Sequence, residues 1–470
     1  MIRLTWQKQF MIGIVCLSIV LGAYQQVQAN QGDLPDSVVL FEYTETFETS
    51  WALNQPALVA NPDGRLHLFW GITPLQNTAI YYMELSEGTW SEPVDILLGP
   101  DIQRHNSAAS AVLDSRGYLH IIWHSGGLYY SYVHAHDARD PRAWAVPVEV
   151  VPAVGDSRLF IDANDILHIV YTSAPDFTVL SYIYCESALC NWAAPNTVAV
   201  AGQGEAVRLP HLWVSAEGAL HAAWGQVQLP DGWPPTGVYY AHSFDQGTSW
   251  SIPIQLGGAG QGNPAIIGLG EEELHLVWLA TQPGRYYTRS LDAGVTWAAP
   301  EEFAPVYGGM LVGYVDLLLD SAQQIHLFVE GSAIPMHSVW DGRQWSSFEP
   351  IGRGESAVAA ITQGNLLHFV WLNPATMHYT SRVISNAPAV ALSELPGVEP
   401  PIHSEETPLT TPLLPTEEPT PSLISSHTLE LPAHRSAHST VPVLWGFGSA
   451  FLIIGIVFFI YLSRDKSFRG

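Results

Sequence analysis

Gly64-Arg65-Leu66-His67-Leu68-Phe69-Trp70 is the stretch on which the fold turns, because it returns as Gly117-Tyr118-Leu119-His120-Ile121-Ile122-Trp123 and then five more times in looser form. Its histidines are His67, His120, His168, His221, His275, His326 and His368, and three positions after each stands Trp, Tyr or Val. Their spacings are 53, 48, 53, 54, 51 and 42 residues. A period near 50 built only of short apolar stretches marks propeller blades. Each period holds an apolar strand, a turn such as Asp63-Gly64, the Leu-His strand, and a Tyr-rich strand such as Ile80-Tyr81-Tyr82 or Val238-Tyr239-Tyr240. A Trp-x-x-Pro phrase then opens a fourth strand, at Trp90/Pro93, Trp144/Pro147, Trp192/Pro195, Trp250/Pro253 and Trp297/Pro300, and in stretched form at Trp345/Pro350.

The pattern predicts an all-β, seven-bladed propeller over residues 30–386. The seventh repeat stops after Met377-His378-Tyr379 without the Trp-x-x-Pro strand, whereas Val38-Val39-Leu40-Phe41-Glu42-Tyr43 stands unpaired before the first. The N-terminal strand is therefore expected to complete the last blade and remove an open sheet edge. Six blades with a separate hairpin domain is the alternative. Composition agrees with many short strands joined by turns: 17 Trp, 19 Tyr, 16 Phe, 39 Gly and 34 Pro against only 13% charged residues.

The two ends give an address. Arg3 and Lys8, the apolar run Phe10 to Tyr24 and the small residues of Val27-Gln28-Ala29 make up a secretory signal at 1–29. Residues 387–440, rich in Pro, Thr, Ser and Glu, read as an extended stalk. Val443 to Leu462 is an uncharged apolar stretch of 20 residues, the length of a transmembrane helix. Arg464, Lys466 and Arg469 follow at once, so the tail 463–470 is expected in the cytoplasm and the propeller outside, at the plasma membrane. The net charge is −26, and the only lysines, Lys8 and Lys466, fall in the signal and the tail. Such a surface repels nucleic acid and excludes it as a partner. Cys185 and Cys190 flank a short turn and, in an exported chain, are expected to pair.

Ser243-Phe244-Asp245-Gln246-Gly247-Thr248-Ser249-Trp250 and Ser290-Leu291-Asp292-Ala293-Gly294-Val295-Thr296-Trp297 match Ser-x-Asp-x-Gly-x-x-Trp, with degenerate copies ending at Trp90 and Trp345. The chain thus resembles the Asp-box, or BNR-repeat, propellers, whose best-known members are sialidases. The box is a folding device: Asp245 and Asp292 accept backbone N–H groups, Gly247 and Gly294 take positive φ, and Trp250 and Trp297 pack between blades. In that family the box lies away from the substrate mouth, so it implies fold rather than activity. The Phe/Tyr-Arg-Ile-Pro phrase of the family's sialidases is absent, and no catalytic residue carries over by motif.

Candidate site residues come instead from the segments leading into each blade's inner strand. Arg104, Asp156, Arg158, Arg208 and Arg353 fall there, and converging arginines hold carboxylate or sulfate by paired hydrogen bonds. Asp101, Glu205, Tyr307 and Tyr314 are the candidates for acid, base or nucleophile at a sugar site. The seven histidines occupy equivalent places and point apart, so they are expected as packed imidazoles with locally satisfied nitrogens, with no metal and no cofactor. Nucleophile-elbow, metalloprotease, P-loop and dinucleotide motifs are missing. Two functions remain: a non-catalytic surface propeller that recognises glycans or a cell-surface protein, and a diverged sialidase-like hydrolase of acidic sugars.

Overall fold

The computed structural model describes residues 37–42, 56–72, 79–98, 107–185, 190–232, 234–281, 284–304, 315–331, 334–373 and 376–395. The signal at 1–29, the stalk beyond 395, the apolar segment 443–462 and the tail 463–470 lie outside these residues, as do Asp101, Arg104, Tyr307 and Tyr314. Among the described residues no helix is long and apolar enough to cross a membrane.

The described chain forms seven antiparallel sheets; six run in sequence order from an inner to an outer strand, and the seventh takes its outer strand from the N-terminal end. The inner strands are Ala57–Ala60, Ser107–Leu113, Val154–Ile161, Glu205–Val214, Gln261–Leu269, Val315–Leu319 and Glu355–Thr362. Each touches the next, and the seventh touches the first, so the ring is closed. Val38–Glu42 pairs antiparallel with Thr376–Val383 as the outer strand of blade seven, with Val38 opposite Tyr379 and Glu42 opposite Thr376. The alternative of six blades and a separate hairpin is thereby overturned: the early strand belongs to the last sheet.

A single twisted sheet cannot shield both of its apolar faces, and here each face is covered by the neighbouring blade. An apolar cluster fills every gap: Phe69 and Trp123 between blades one and two, Tyr171 and Ile122 between two and three, Trp224 and Tyr182 between three and four, and so on round to Trp70 and Val370 between seven and one. Trp70, Trp123, Trp224 and Trp278 of the repeat phrase are wholly buried. An aromatic ring of this kind removes roughly 150–250 Å² from water, about 4–6 kcal/mol of transfer free energy. The proline of each regular Trp-x-x-Pro phrase sits immediately before the outer strand, at Val94, Val148, Asn196, Ile254 and Glu301, where its missing N–H costs the ladder nothing.

The repeat histidines are buried tethers within the blades. His67 Nδ1 lies 2.7 Å from the Tyr82 hydroxyl, and the same contact recurs at His120/Tyr130 (2.7 Å), His168/Tyr182 (2.8 Å), His221/Tyr240 (2.7 Å), His275/Tyr287 (2.9 Å) and His368/Tyr379 (2.9 Å). Blade six departs from this, with His337 facing His326 at 2.9 Å. The second nitrogen turns to a neighbouring side chain in blades six and seven, His326 to Asp320 (3.2 Å) and His368 to Thr362 (2.8 Å). Nε2 of His120, His168, His221 and His275 makes no hydrogen bond among the described residues, which corrects the expectation of satisfied nitrogens. Among the described residues no cluster of His, Cys, Asp and Glu could hold a metal ion.

The turn that ends the third strand lies at the same end of the ring as the Gly-x-Leu-His turn. At Asp245, Oδ1 accepts from the Ser249 N–H (2.8 Å) and Oδ2 from the Ser249 hydroxyl (2.6 Å), while Gly247 takes φ +81° and donates to Ser243 Oγ (2.9 Å). Asp292, Thr296, Gly294 and Ser290 repeat this arrangement. Trp250 meets Tyr182 of the preceding blade edge-on at 5.6 Å, and Trp297 meets Tyr240 at 4.8 Å. Cys185 and Cys190 are disulfide-bonded, with Cα atoms 5.3 Å apart. Residues 387–395, which composition assigns to the stalk, instead lie against the propeller, because Ala387 and Leu395 find apolar cover there.

Candidate ligand site in the central channel

One register of the inner strands faces the channel in every blade but one. Counting ten positions back from each repeat histidine gives Ala57, Ser110, Arg158, His211, Ala265, Asp316 and Val358. These seven occupy equivalent ladder positions, opposite Phe69, Ile122, Val170, Ala223, Val277, Phe328 and Val370 respectively. All except Ala265 line the central cavity, which encloses about 490 Å³. That volume falls within the roughly 300–1,000 Å³ typical of small-ligand sites. The ladder is irregular just before this ring in several blades, and Leu209, Asn263 and Ser356, two residues earlier, take φ of +47°, +55° and +53°. Such bulges bend an inner strand and re-aim the side chains that follow.

The ring is chemically lopsided. Blades three, four and six contribute Arg158, His211 and Asp316, whereas blades one and seven contribute Ala57, Leu58, Val358 and Ala359. His211 Nε2 lies 3.9 Å from Asp316 Oδ1, and its Nδ1 accepts a long hydrogen bond from the Ile266 N–H (3.4 Å). Burial holds His211 below the usual imidazole value and the Arg158 charge adds to this, against the opposing pull of Asp316. Burial pushes the Asp316 carboxyl up, but the contact with His211 and the Arg158 charge outweigh it and leave the group low. His211 is therefore neutral and Asp316 ionised at neutral pH. Among the described residues no carboxylate stands within ion-pair distance of Arg158.

A second layer lies at the entrance to the inner strands. Arg208 Nε donates to Asp156 Oδ2 (2.7 Å), and the Leu209 N–H donates to the same oxygen (2.8 Å), tying blade four to blade three. His124 Nε2 sits 2.7 Å from Ser157 Oγ. Burial lowers His124, with Asp156 opposing. Asp156, Ser157 and His124 line the cavity; Arg208 and Glu205 do not. Arg353 is exposed, and its carbonyl accepts from Trp371 Nε1 (2.9 Å).

Of the residues expected from sequence, the structure brings Asp156 and Arg158 to the channel, spends Arg208 on Asp156, and leaves Glu205 and Arg353 apart from them. His211, Asp316, Asn263 and His124 went unread. The signal that reveals three of them is the count back from the repeat histidine, ten residues for His211 and Asp316 and twelve for Asn263.

No family model matches the chain, and no curated protein matches it. Solved structures do resemble it. A lectin from Burkholderia pseudomallei superposes with a TM-score of 0.55 at 13% identity, covering 72% of this chain and 99% of the lectin. An ulvan lyase, a polysaccharide lyase solved with bound GlcA(1-4)Rha3S, superposes with a TM-score of 0.51 at 11% identity, covering 76% of this chain and 98% of the lyase. At such identities the likeness establishes the propeller fold, shared with lectins and with enzymes that act on glycans.

Proposed function

We propose that this protein is a glycan-recognising propeller, held at the outer cell surface by segment 443–462, that binds the acidic end of a sugar chain in its central channel without turning it over. The ring of Ala57, Ser110, Arg158, His211, Asp316 and Val358 carries this reading. A sugar ring has an apolar face and a fringe of hydroxyls, and this channel offers an apolar wall opposite an arc of donors and acceptors. Arg158, with no carboxylate among the described residues in ion-pair reach, is the group suited to a ligand carboxylate or sulfate.

The carboxylates and imidazole described in the channel are poorly disposed for catalysis. A glycosidase needs a carboxylic acid that keeps its proton near neutral pH, whereas Asp316 is held low. The His211 Nδ1 lone pair receives the Ile266 N–H, and the Asp156 carboxylate is occupied by Arg208 and Leu209. The Asp-box resemblance leaves a sialidase-like hydrolase as the reading to be tested against.

Full-length protein in detergent, applied to a glycan array, is expected to retain uronate-, sialate- or sulfate-bearing glycans and to pass neutral ones. Arg158→Ala should weaken retention by about tenfold or more, the equivalent of about 1.4 kcal/mol. Turnover of a fluorogenic sialoside that disappears in Arg158→Ala would replace the binding reading with the hydrolase. Resistance of the protein to alkaline carbonate extraction from membranes tests the anchor separately.

A further inference from the structure

The ring is fastened a second time, at the end opposite the strand entrances. After its last strand the chain does not leave blade seven but crosses the turns that join first and second strands. The Ile384 N–H donates to Asn365 O (2.7 Å), Asn365 Nδ2 donates to Ala387 O (3.2 Å), and the Ser321 hydroxyl donates to Pro388 O (2.5 Å). The Val390 N–H then donates to Gln363 O (2.8 Å), and the Ser393 N–H to Pro62 O (3.1 Å). In order, the segment grips blades seven, six, seven again and one, and finally places Leu395, 9% exposed, in the cluster between blades one and two.

The seats are the glycines of the turns. A Cβ on Gly364 (φ +68°) would approach Val390, one on Gly64 (φ +89°) would press on Leu392, and one on Gly117 (φ +87°) would press on Leu395. Val390 and Leu392 remain about half exposed, at 54% and 53%, so Leu395 is the anchor of the three. The corresponding turn glycines of blades four and five, Gly218 and Gly270, have nothing within 4 Å of the added atom. The segment thus lies on the side of the ring where its two ends meet.

We propose that the turn face of blades six, seven, one and two is a docking surface for an extended peptide, that residues 384–395 of this chain are its occupant, and that this clasp holds the seam between blades seven and one. The outer ladder of Val38–Glu42 fastens blade seven to the N-terminal end of the chain. The clasp adds bonds that run from blade seven to its neighbours on both sides.

The test is hydrogen exchange on the full-length protein in detergent with Leu395→Asp. Amides of Leu66–Ile72 in blade one and Leu366–Asn373 in blade seven are expected to exchange about tenfold faster or more, while those of Leu220–Gln228 in blade four keep their rates. Equal change in all blades, or release of 384–395 with no change at the seam, overturns the proposal. Should the aspartate prevent folding, Ser393→Pro, which removes the N–H given to Pro62, is read by the same comparison. Ligand retention plays no part in this readout, so it stands or falls apart from the channel.

Discussion

Gly294 and Gly342 occupy related turns and differ in what surrounds them. Both have positive φ, +80° and +95°, but a Cβ on Gly294 would overlap the Tyr240 hydroxyl, whereas one on Gly342 meets nothing within 4 Å. Gly342→Ala is expected to cost only the left-handed strain, about 1–2 kcal/mol. Gly294→Ala should cost about 1–3 kcal/mol more, from overpacking against the preceding blade; equal denaturant midpoint shifts would contradict this. The candidate site was half legible at this scale. Arg158 and Asp156 stood out as charges in the segments that feed the inner strands, but Arg208 and Arg353 stood out equally and do not face the cavity. Which side chains reach the channel depends on the bulges at Leu209, Asn263 and Ser356, and a residue forced to positive φ carries no mark in its letter. His211 and Asp316 sit within strands, where alternation alone assigns them to a packed face.

A blade is the smallest unit that explains the repeat. Leucine, histidine and the residue three positions on recur because one packs, one tethers the third strand through a tyrosine, and one fills the gap to the preceding blade. Tyr240→Phe leaves His221 without its Nδ1 partner while its Nε2 already lacks a hydrogen bond. A loss of about 1–3 kcal/mol is expected, measured by chemical denaturation. Tyr379→Phe should cost less, because His368 keeps its second contact to Thr362. The strand order, the blade count and the completion of blade seven by Val38–Glu42 were all readable, since each is written as a pattern with a period or as the lack of one. The docked run 387–395 was not, because its prolines and serines look like linker and only Val390, Leu392 and Leu395 hint at a partner.

For the molecule as a whole, the buried histidines set a limit in acid. Burial holds His67 and His221 at about 3 and His275 and His368 at about 4, against 6.5 when exposed. The unfolded chain therefore binds protons that the folded ring refuses. Stability is full above about pH 6.5 and is lost as pH falls from there toward the folded values, at up to about 5 kcal/mol per pH unit where all four contribute. Asp63, Asp114 and Asp162, each held below the usual carboxylate range by their partners against the effect of burial, act in the same direction below pH 4. The melting temperature is expected to be flat from pH 7 to 9 and to drop steeply below about pH 6. A melting temperature that held level down to pH 4 would contradict the burial of these rings.

The path of residues 384–395 also decides how the ring bears load. Tension applied along the strap would load its bonds to several turns together, in shear, instead of opening them one after another from an end. A pull in that direction would reach the blades only after several turns had let go at once.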